Sequence, residues 1–458
     1  MVGHAVVVPY PGRGHINPMK HLAIKLASHG VSVTFVLTQT WHKIITQAED
    51  DFFSHARKLG LDIRAGLIPD CVVGESQRWA NMAAFFLSLS NMEAHVSDFI
   101  LNLNRSGATP SCIVADTLLN WAVPLAKRHT LLSVSLWTTS VTNFSVIYHL
   151  GLDGAQGRRD NTPGVPLFKP TELPNGLFSP SPMGNSFAQC FINVKEADWV
   201  VANSFYALDC RAVEALRHKT PVQCVGPLNM PFAHWGHGKS VLQCSQWLDS
   251  KPARSVIYVS FGSFINVARA QVVEIATGLK QSGYCFIWAL RPDAEASHVW
   301  EMLPPGFLEE CKEQGLVEPW FRQEEILSHP SVGGFFSHCG WNAVMESVSA
   351  GIPMLGFPLA MEQFLNCKLV VEEWKFAVRG RSKEDENRVI AAEEIAVKVK
   401  TLMEGEESVR LRGVVKTFRE LAKEEVANGM SASNLKLLAD RLKAGKTPNK
   451  KIAEHVAI

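Results

Sequence analysis

The sequence predicts an α/β protein built from two doubly wound, Rossmann-like domains. Three observations lead to that class. The chain has 458 residues, 47% hydrophobic and 19% charged, enough for two full-sized cores of ordinary composition. A strand–loop–helix–strand unit opens the chain, and the same grammar recurs roughly 250 residues later, which argues for two sheets rather than one. Between them lies a segment rich in Pro, Gly and His, residues 226–238, that reads as a linker.

The first unit begins with residues 5–8 (AVVV), a continuously apolar run suited to a strand covered on both faces. In the loop that follows, Asn17 is placed to cap a helix with Pro18 at its first position. Met19, Leu22, Ala23, Leu26 and Ala27 form an apolar stripe at helical spacing, and Gly30 stops the helix. Residues 31–37 give the next strand, reached by a right-handed crossover. In the second unit, residues 255–261 (SVIYVSF) read as a strand and Gly262-Ser263 as its turn. Residues 271–281 read as a helix closed by Gly283, and 285–290 as the following strand. The expected division is 1–238, 239–434 and a terminal helical piece, 435–458. The Pro- and Gly-dense stretch 152–185 reads as a long surface loop of the first domain, and 408–442 as helical.

Composition narrows the function classes. The formal net charge is +1, so no broad field attracts nucleic acid or an anionic membrane, and the basic run 446–451 reads as a solvated tail. The ten cysteines show no C-x-x-C pair and no zinc spacing, which suits free thiols in a reducing compartment. No apolar run reaches the roughly 18 residues of a membrane span, and Pro9, Pro11 and Gly12 interrupt any leader-like segment. A cytoplasmic monomer follows as the expectation.

Residues 320–363 carry the densest signal. Within them, 332–337 (VGGFFS) read as a buried strand, and His338-Cys339-Gly340 turn it into a helix, 341–350, ended by Gly351. A helix N-terminus exposes N–H groups and the positive end of a dipole, so this turn suits a diphosphate. His338, Ser263 and Asn342 can add side-chain donors. Trp320 offers a flat face to a base, a contact worth about 1–3 kcal/mol. Glu346 can accept from a ribose diol, and Glu362 and Gln363 follow the next strand, where ligands gather on open α/β sheets. Taken singly, each has an ordinary structural reading: an indole in the core, a solvated helix carboxylate, a common Gly-bearing joint.

Taken together, Trp320, Gln323, Leu327, His329, Gly333, Phe335, His338, Gly340, Trp341, Asn342, Glu346, Gly351, Pro353, Pro358, Glu362 and Gln363 resemble the C-terminal signature box of plant family-1 UDP-glycosyltransferases. Matches at 9–18, Asp116, 226–227 and 259–263 extend the resemblance over most of the chain. It implies the GT-B fold, two Rossmann-like domains facing each other across a cleft, with the final helix returning to the first domain. It also implies that Trp320 stacks on uracil while the Phe321 backbone binds the base edge. Gln323 and Glu346 would hold the ribose, and Ser263, His338, Gly340 and Asn342 the diphosphate. The Trp341 backbone, Glu362 and Gln363 would meet the sugar hydroxyls, and Thr138 the C6 hydroxyl. Glutamine at 363 favours UDP-glucose over UDP-galactose. Two departures stand out. Ala343 replaces the usual Ser, a loss of roughly 1.5–3 kcal/mol if a phosphate hydrogen bond goes with it. Arg322 replaces the usual Pro, which would loosen the loop bearing Trp320.

Glycosyl transfer needs a base for the acceptor hydroxyl, and a neutral imidazole contributes about 10²–10⁴-fold. His15 follows the first strand, and Asp116 ends the apolar run 112–115, so parallel strands could bring the two together. By spacing alone they could equally be a loop histidine and a capping Asp; the resemblance places the family's catalytic dyad on these two residues. The reaction so implied is a single in-line displacement giving a β-glucoside. With no D-x-D pair in the chain, no metal or other cofactor is expected; UDP-glucose is the donor co-substrate. Phe85, Phe86, Trp137, Phe144, Tyr148, Phe187 and Phe191 could line an apolar acceptor cleft in the first domain for a small lipophilic aglycone, phenolic or terpenoid, though aromatics at this density also suit plain core. A nicotinamide-dependent oxidoreductase is disfavoured: Gly12 and Gly14 lack a third glycine, and no Asp or Glu lies between His15 and Ala48. A non-catalytic UDP-sugar binder, or a transferase using another donor sugar or an N-, S- or C-nucleophile, would carry much the same residues.

Overall fold

A computed structural model describes residues 3–47, 51–72, 81–153, 162–169, 172, 181–230, 239–263, 265–292 and 298–445. The expected linker beyond 230, most of the expected loop 152–185, and the tail after 445 lie outside the described residues.

Among the described residues, thirteen strands form two sheets. In the first, β1 (His4–Val8), β2 (Ser32–Thr38), β3 (Ile63–Ile68), β4 (Cys112–Asp116), β5 (Leu132–Trp137), β6 (Trp199–Ala202) and β7 (Val222–Cys224) take the order β3-β2-β1-β4-β5-β6-β7. In the second, β8 (Val256–Ser260), β9 (Cys285–Ala289), β10 (Gly315–Glu318), β11 (Val332–Ser337), β12 (Met354–Gly356) and β13 (Ala377–Arg379) take the order β10-β9-β8-β11-β12-β13. The pairings among β1 to β5 and among β8 to β13 are all parallel. The central strands are buried along their length because helices cover both faces, which is why they read as unbroken apolar runs.

Both orders run outward from one strand in each direction. In the first sheet the reversal falls between β1 and β4, with Val8 opposite Ala115. In the second it falls between β8 and β11, with Ser260 opposite Ser337. Loops leaving the carboxyl ends of those two strand pairs diverge to opposite sides of the sheet and leave a crevice, the usual ligand position in such folds.

Two expectations need correction. The first helix starts at Arg13, not after Asn17, and Pro18 lies inside it. Gly12 takes an extended conformation as N-cap, and its carbonyl accepts from the N–H groups of His15 (2.9 Å) and Ile16 (2.8 Å). Pro18 has no N–H to return to the Gly14 carbonyl, so the ladder loses one bond there. His15 therefore stands on the first helical turn rather than in an open loop. The compact units also differ from the expected division: one comprises 1–138, 181–201 and 432–458, the other 139–180 and 202–431. The reason is packing. Val146, Leu150, Phe168, Phe205 and Leu208 share one apolar cluster with Trp341, Val344 and Trp374. From Ala432 onward the last described helix belongs to the first unit, where the Leu442 carbonyl accepts from the Ser111 hydroxyl at 3.0 Å.

The expected stops at Gly283 and Gly351 are present, each at a left-handed φ. The helical end is two helices, Gly405–Ala427 and Met430–Ala444. No described helix is long and apolar enough to cross a membrane.

Candidate active site

In the first unit the crevice between β1 and β4 brings His15 and Asp116 together. Nδ1 of His15 lies 2.7 Å from Oδ2 of Asp116. The carboxylate side chain is 1% exposed and the imidazole 24%. The other carboxylate oxygen, Oδ1, accepts from the Leu118 N–H at 2.9 Å. A buried carboxylate held at both oxygens fixes which imidazole nitrogen carries the proton: Nδ1–H donates to it, and base chemistry falls to Nε2. Thr138, just past β5, brings its hydroxyl to 3.1 Å from the same Nδ1. Tyr10, which sequence reasoning passed over, sets its ring 4.5 Å from the imidazole and 5.6 Å from Phe85.

The expected acceptor aromatics divide. Phe86 meets Phe187 at 6.1 Å, Phe187 meets Phe191 at 5.5 Å, and Trp137 meets Phe191 at 5.6 Å. With Phe85 and Tyr10 these lie in the first unit. Phe144 and Tyr148 belong to the second unit, stacked at 5.8 Å, with the Tyr148 hydroxyl accepting from Thr220. A helix following β5 sends them to its own packing partners, which local sequence could not indicate.

In the second unit, parallel strand ends deliver the signature residues to one edge of the sheet. Ser263 follows β8, Trp320 follows β10, His338 follows β11, and Glu362 and Gln363 follow β12. Trp320 is 56% exposed, an open indole face in a chain that buries most of its large aromatics. Phe321 packs against the apolar cluster beneath. Gln323 donates from Nε2 to Oε2 of Glu346, so the two expected ribose ligands touch. Burial raises the Glu346 carboxyl to about 7, against the opposing effect of that Gln323 bond.

His338 sits between two glycines. A Cβ at Gly262 would lie 2.5 Å from its Nε2, and one at Gly340 would also fall well inside contact distance. Gly262 has φ +77, so both space and backbone require glycine there. Burial lowers the His338 imidazole to about 4, with the Arg291 cation adding to the effect and a bond to the Ser260 backbone opposing it. The ring is therefore neutral near pH 7. The helix Trp341–Ala350 begins at Gly340, which has no side chain to cap it, the geometry of an anion-accepting turn. Asn342 stands on its first turn; Trp341 is buried, its indole N–H donating to the Asn203 carbonyl at 2.7 Å, and Ala343 is buried beside it.

Two further placements refine the expectations. Gln363 is 6% exposed, and its Oε1 accepts from the N–H groups of Leu359 (2.8 Å) and Ala360 (3.2 Å), so its amide nitrogen is the end suited to a sugar hydroxyl. Arg322 is buried and pairs with Glu325 at 3.0 Å, a tether where proline would have supplied a ring. Sequence reasoning also missed Asn366 and Arg291. Asn366 is fully buried, donates to the Cys339 carbonyl at 3.0 Å and accepts from Asn143 at 2.7 Å. Arg291 follows β9, and its strand-end position was the available signal. Cys339 (φ +61) and Met361 (φ +57) take left-handed backbone beside His338 and Glu362, strain of the kind found at ligand sites. Among the described residues no group of three or more His, Cys, Asp or Glu could hold a metal ion.

The UDP-glucoronosyl and UDP-glucosyl transferase family model matches residues 228–409, and a glycosyltransferase N-terminal domain matches 4–52. The chain is 37% identical to UDP-glycosyltransferase 86A1 of Arabidopsis thaliana, over 96% of this chain and 94% of that one. It is 30% identical to gallate 1-beta-glucosyltransferase of Quercus robur, over 96% and 90%. A solved complex between a UDP-glucosyltransferase from Polygonum tinctorium capable of glucosylating indoxyl and 3,4-dichloroaniline superimposes with a TM-score of 0.82. It is 25% identical to the chain and covers 97% of this chain and 99% of that one.

Proposed function

Since the chain belongs to the plant family-1 UDP-glycosyltransferases, enzymes of the GT-B fold, we propose that it moves glucose from UDP-glucose to a hydroxyl of a small lipophilic acceptor, with inversion at the anomeric carbon. The observation that carries this reading is the His15–Asp116 pair at 2.7 Å, placed where its sheet reverses. Nε2 of His15 takes the acceptor proton as the acceptor oxygen forms its bond to C1. The bond from C1 to the β-phosphate oxygen breaks, and UDP leaves with the electron pair. Asp116 stabilises the imidazolium that results. The β-linked product follows from attack opposite the leaving group.

The second unit supplies the donor site. Trp320 takes the uracil face and the Phe321 backbone its edge; Gln323 and Glu346 take the ribose diol. Ser263, His338, Gly340, Asn342 and the helix N-terminus receive the diphosphate, where fixed donors aimed at developing charge are most effective. The Trp341 backbone, Glu362, the amide nitrogen of Gln363 and Thr138 address the sugar hydroxyls. This donor set does its electrostatic work without a divalent metal. Phe85, Phe86, Trp137, Phe187 and Phe191, joined by Tyr10, form the apolar acceptor side. A phenolic acceptor is favoured by gallate in the name of the oak relative and by the small aromatic amine bound in the Polygonum complex.

Mixing the protein with UDP-glucose and a panel of phenols and terpenoid alcohols, with and without EDTA, tests the reading through UDP release. Acceptor-dependent release that survives chelation is expected. No release with any acceptor, or a clear preference for UDP-galactose, UDP-xylose or UDP-glucuronate, overturns it.

A further inference from the structure

The donor edge of the second sheet carries a cation that the signature residues do not account for. Arg291 stands two residues beyond β9. Its Nε donates to the Gly262 carbonyl at 3.0 Å, one terminal nitrogen to the Ser263 carbonyl at 2.8 Å, and the other to the Ile265 carbonyl at 3.1 Å. One rigid fork thus holds three carbonyls of the loop that leaves β8. A guanidinium spans them because its donors are spread over a fixed plane, whereas the three donors of an ammonium radiate from a single atom.

The consequence follows from peptide geometry. A trans peptide is planar, so each N–H points opposite to the carbonyl before it. Drawing the Gly262 carbonyl onto Arg291 turns the Ser263 N–H the other way. Gly262 reaches this arrangement at φ +77, with the His338 ring filling the place where a side chain would sit. The loop is therefore gripped from one side by the guanidinium and shaped on the other against the neutral imidazole.

We propose that Arg291 is a positioning residue for the donor diphosphate. It fixes the loop after β8 so that the Ser263 N–H and hydroxyl converge with His338 on the phosphates, and it sets a permanent positive charge behind them. The inference rests on the assignment of this edge as the UDP-sugar site, and it makes the leaving-group site an assembled one rather than a helix terminus alone.

Uridine and UDP separate this role from a merely structural one, because only UDP carries the diphosphate. Titrations of the full chain, followed by tryptophan fluorescence or calorimetry, would compare the wild type with Arg291→Lys and Arg291→Gln. The expected result is a loss of about tenfold or more in UDP affinity in both variants, with uridine affinity held within about twofold. The donor KM rises accordingly. Wild-type UDP affinity in Arg291→Lys would overturn the proposal, since charge alone would then suffice. Parallel weakening of UDP and uridine would overturn it too, marking general damage. Should Arg291→Gln fail to fold, Arg291→Lys carries the comparison, with its thermal unfolding measured alongside. A wild-type chain that binds neither ligand refutes the donor site itself, a different outcome from losing only the contrast between them.

Discussion

Replacing Asp116 by Asn should abolish most of the turnover, for a reason the hydrogen bonds make specific. In the native protein Oδ1 accepts from the Leu118 N–H while Oδ2 faces Nδ1 of His15. An asparagine must keep its oxygen on the Leu118 N–H, since its amide nitrogen cannot accept. Its NH₂ then points at Nδ1, which must become an acceptor, and the ring proton moves to Nε2. The base is blocked at the nitrogen that needs to be bare. Charge stabilisation is lost as well. Opposite charges whose centres lie about 4 Å apart interact by roughly 4 kcal/mol at an effective dielectric near 20, or about 10³-fold in rate. The expectation is a fall in kcat of about 10³-fold with the UDP dissociation constant unchanged within about threefold. The assay is initial-rate UDP release at saturating UDP-glucose, with UDP binding measured separately. Acceptor acidity supplies an internal check: the loss should be largest for aliphatic alcohols and smallest for acidic phenols, which need least help in losing a proton. A fall of less than about tenfold with an aliphatic alcohol would refute the base assignment.

Trp320→Ala should weaken UDP by about 1–3 kcal/mol while the thermal midpoint barely moves, because the indole is already 56% exposed; a large drop in stability would instead mark it as core. The Glu346 carboxyl, raised to about 7, is protonated below that pH and accepts from the ribose diol best above it, so the donor KM should fall as pH rises from 6 to 8. The apo protein responds in the opposite sense. A folded-state value above the unfolded one costs stability as pH climbs from about 4.5 to about 7, and Glu346→Gln should flatten both profiles; a wild-type KM independent of pH would count against the ribose role. Gln363→Glu keeps an acceptor for the Leu359 and Ala360 N–H groups but removes the amide donors, so the UDP-glucose KM should rise about tenfold with folding intact. An unchanged KM would show that residue 363 serves only its own turn.

Sequence alone determined the local grammar of this protein. Apolar runs marked the buried parallel strands, and Gly283 and Gly351 marked helix ends because left-handed backbone excludes most other residues. The types and spacing of residues 320–363 carried the reading of a donor site, and His15 and Asp116 were visible as residues that end or follow strands. Tertiary structure decided who meets whom. Strand order is a matter of long-range pairing that no local period encodes, and it is the order that puts β1 beside β4 and so His15 beside Asp116. The start of the first helix turned on Gly12 taking an extended conformation, against a capping pattern at Asn17 that was sound in isolation. Phe144 and Tyr148 read like their aromatic neighbours yet pack in the other unit, because periodicity marks a buried face without naming its partner. Arg291, Asn366 and Tyr10 act through hydrogen bonds or ring contacts to segments far along the chain, and such contacts exist only once the sheets have brought their loops together.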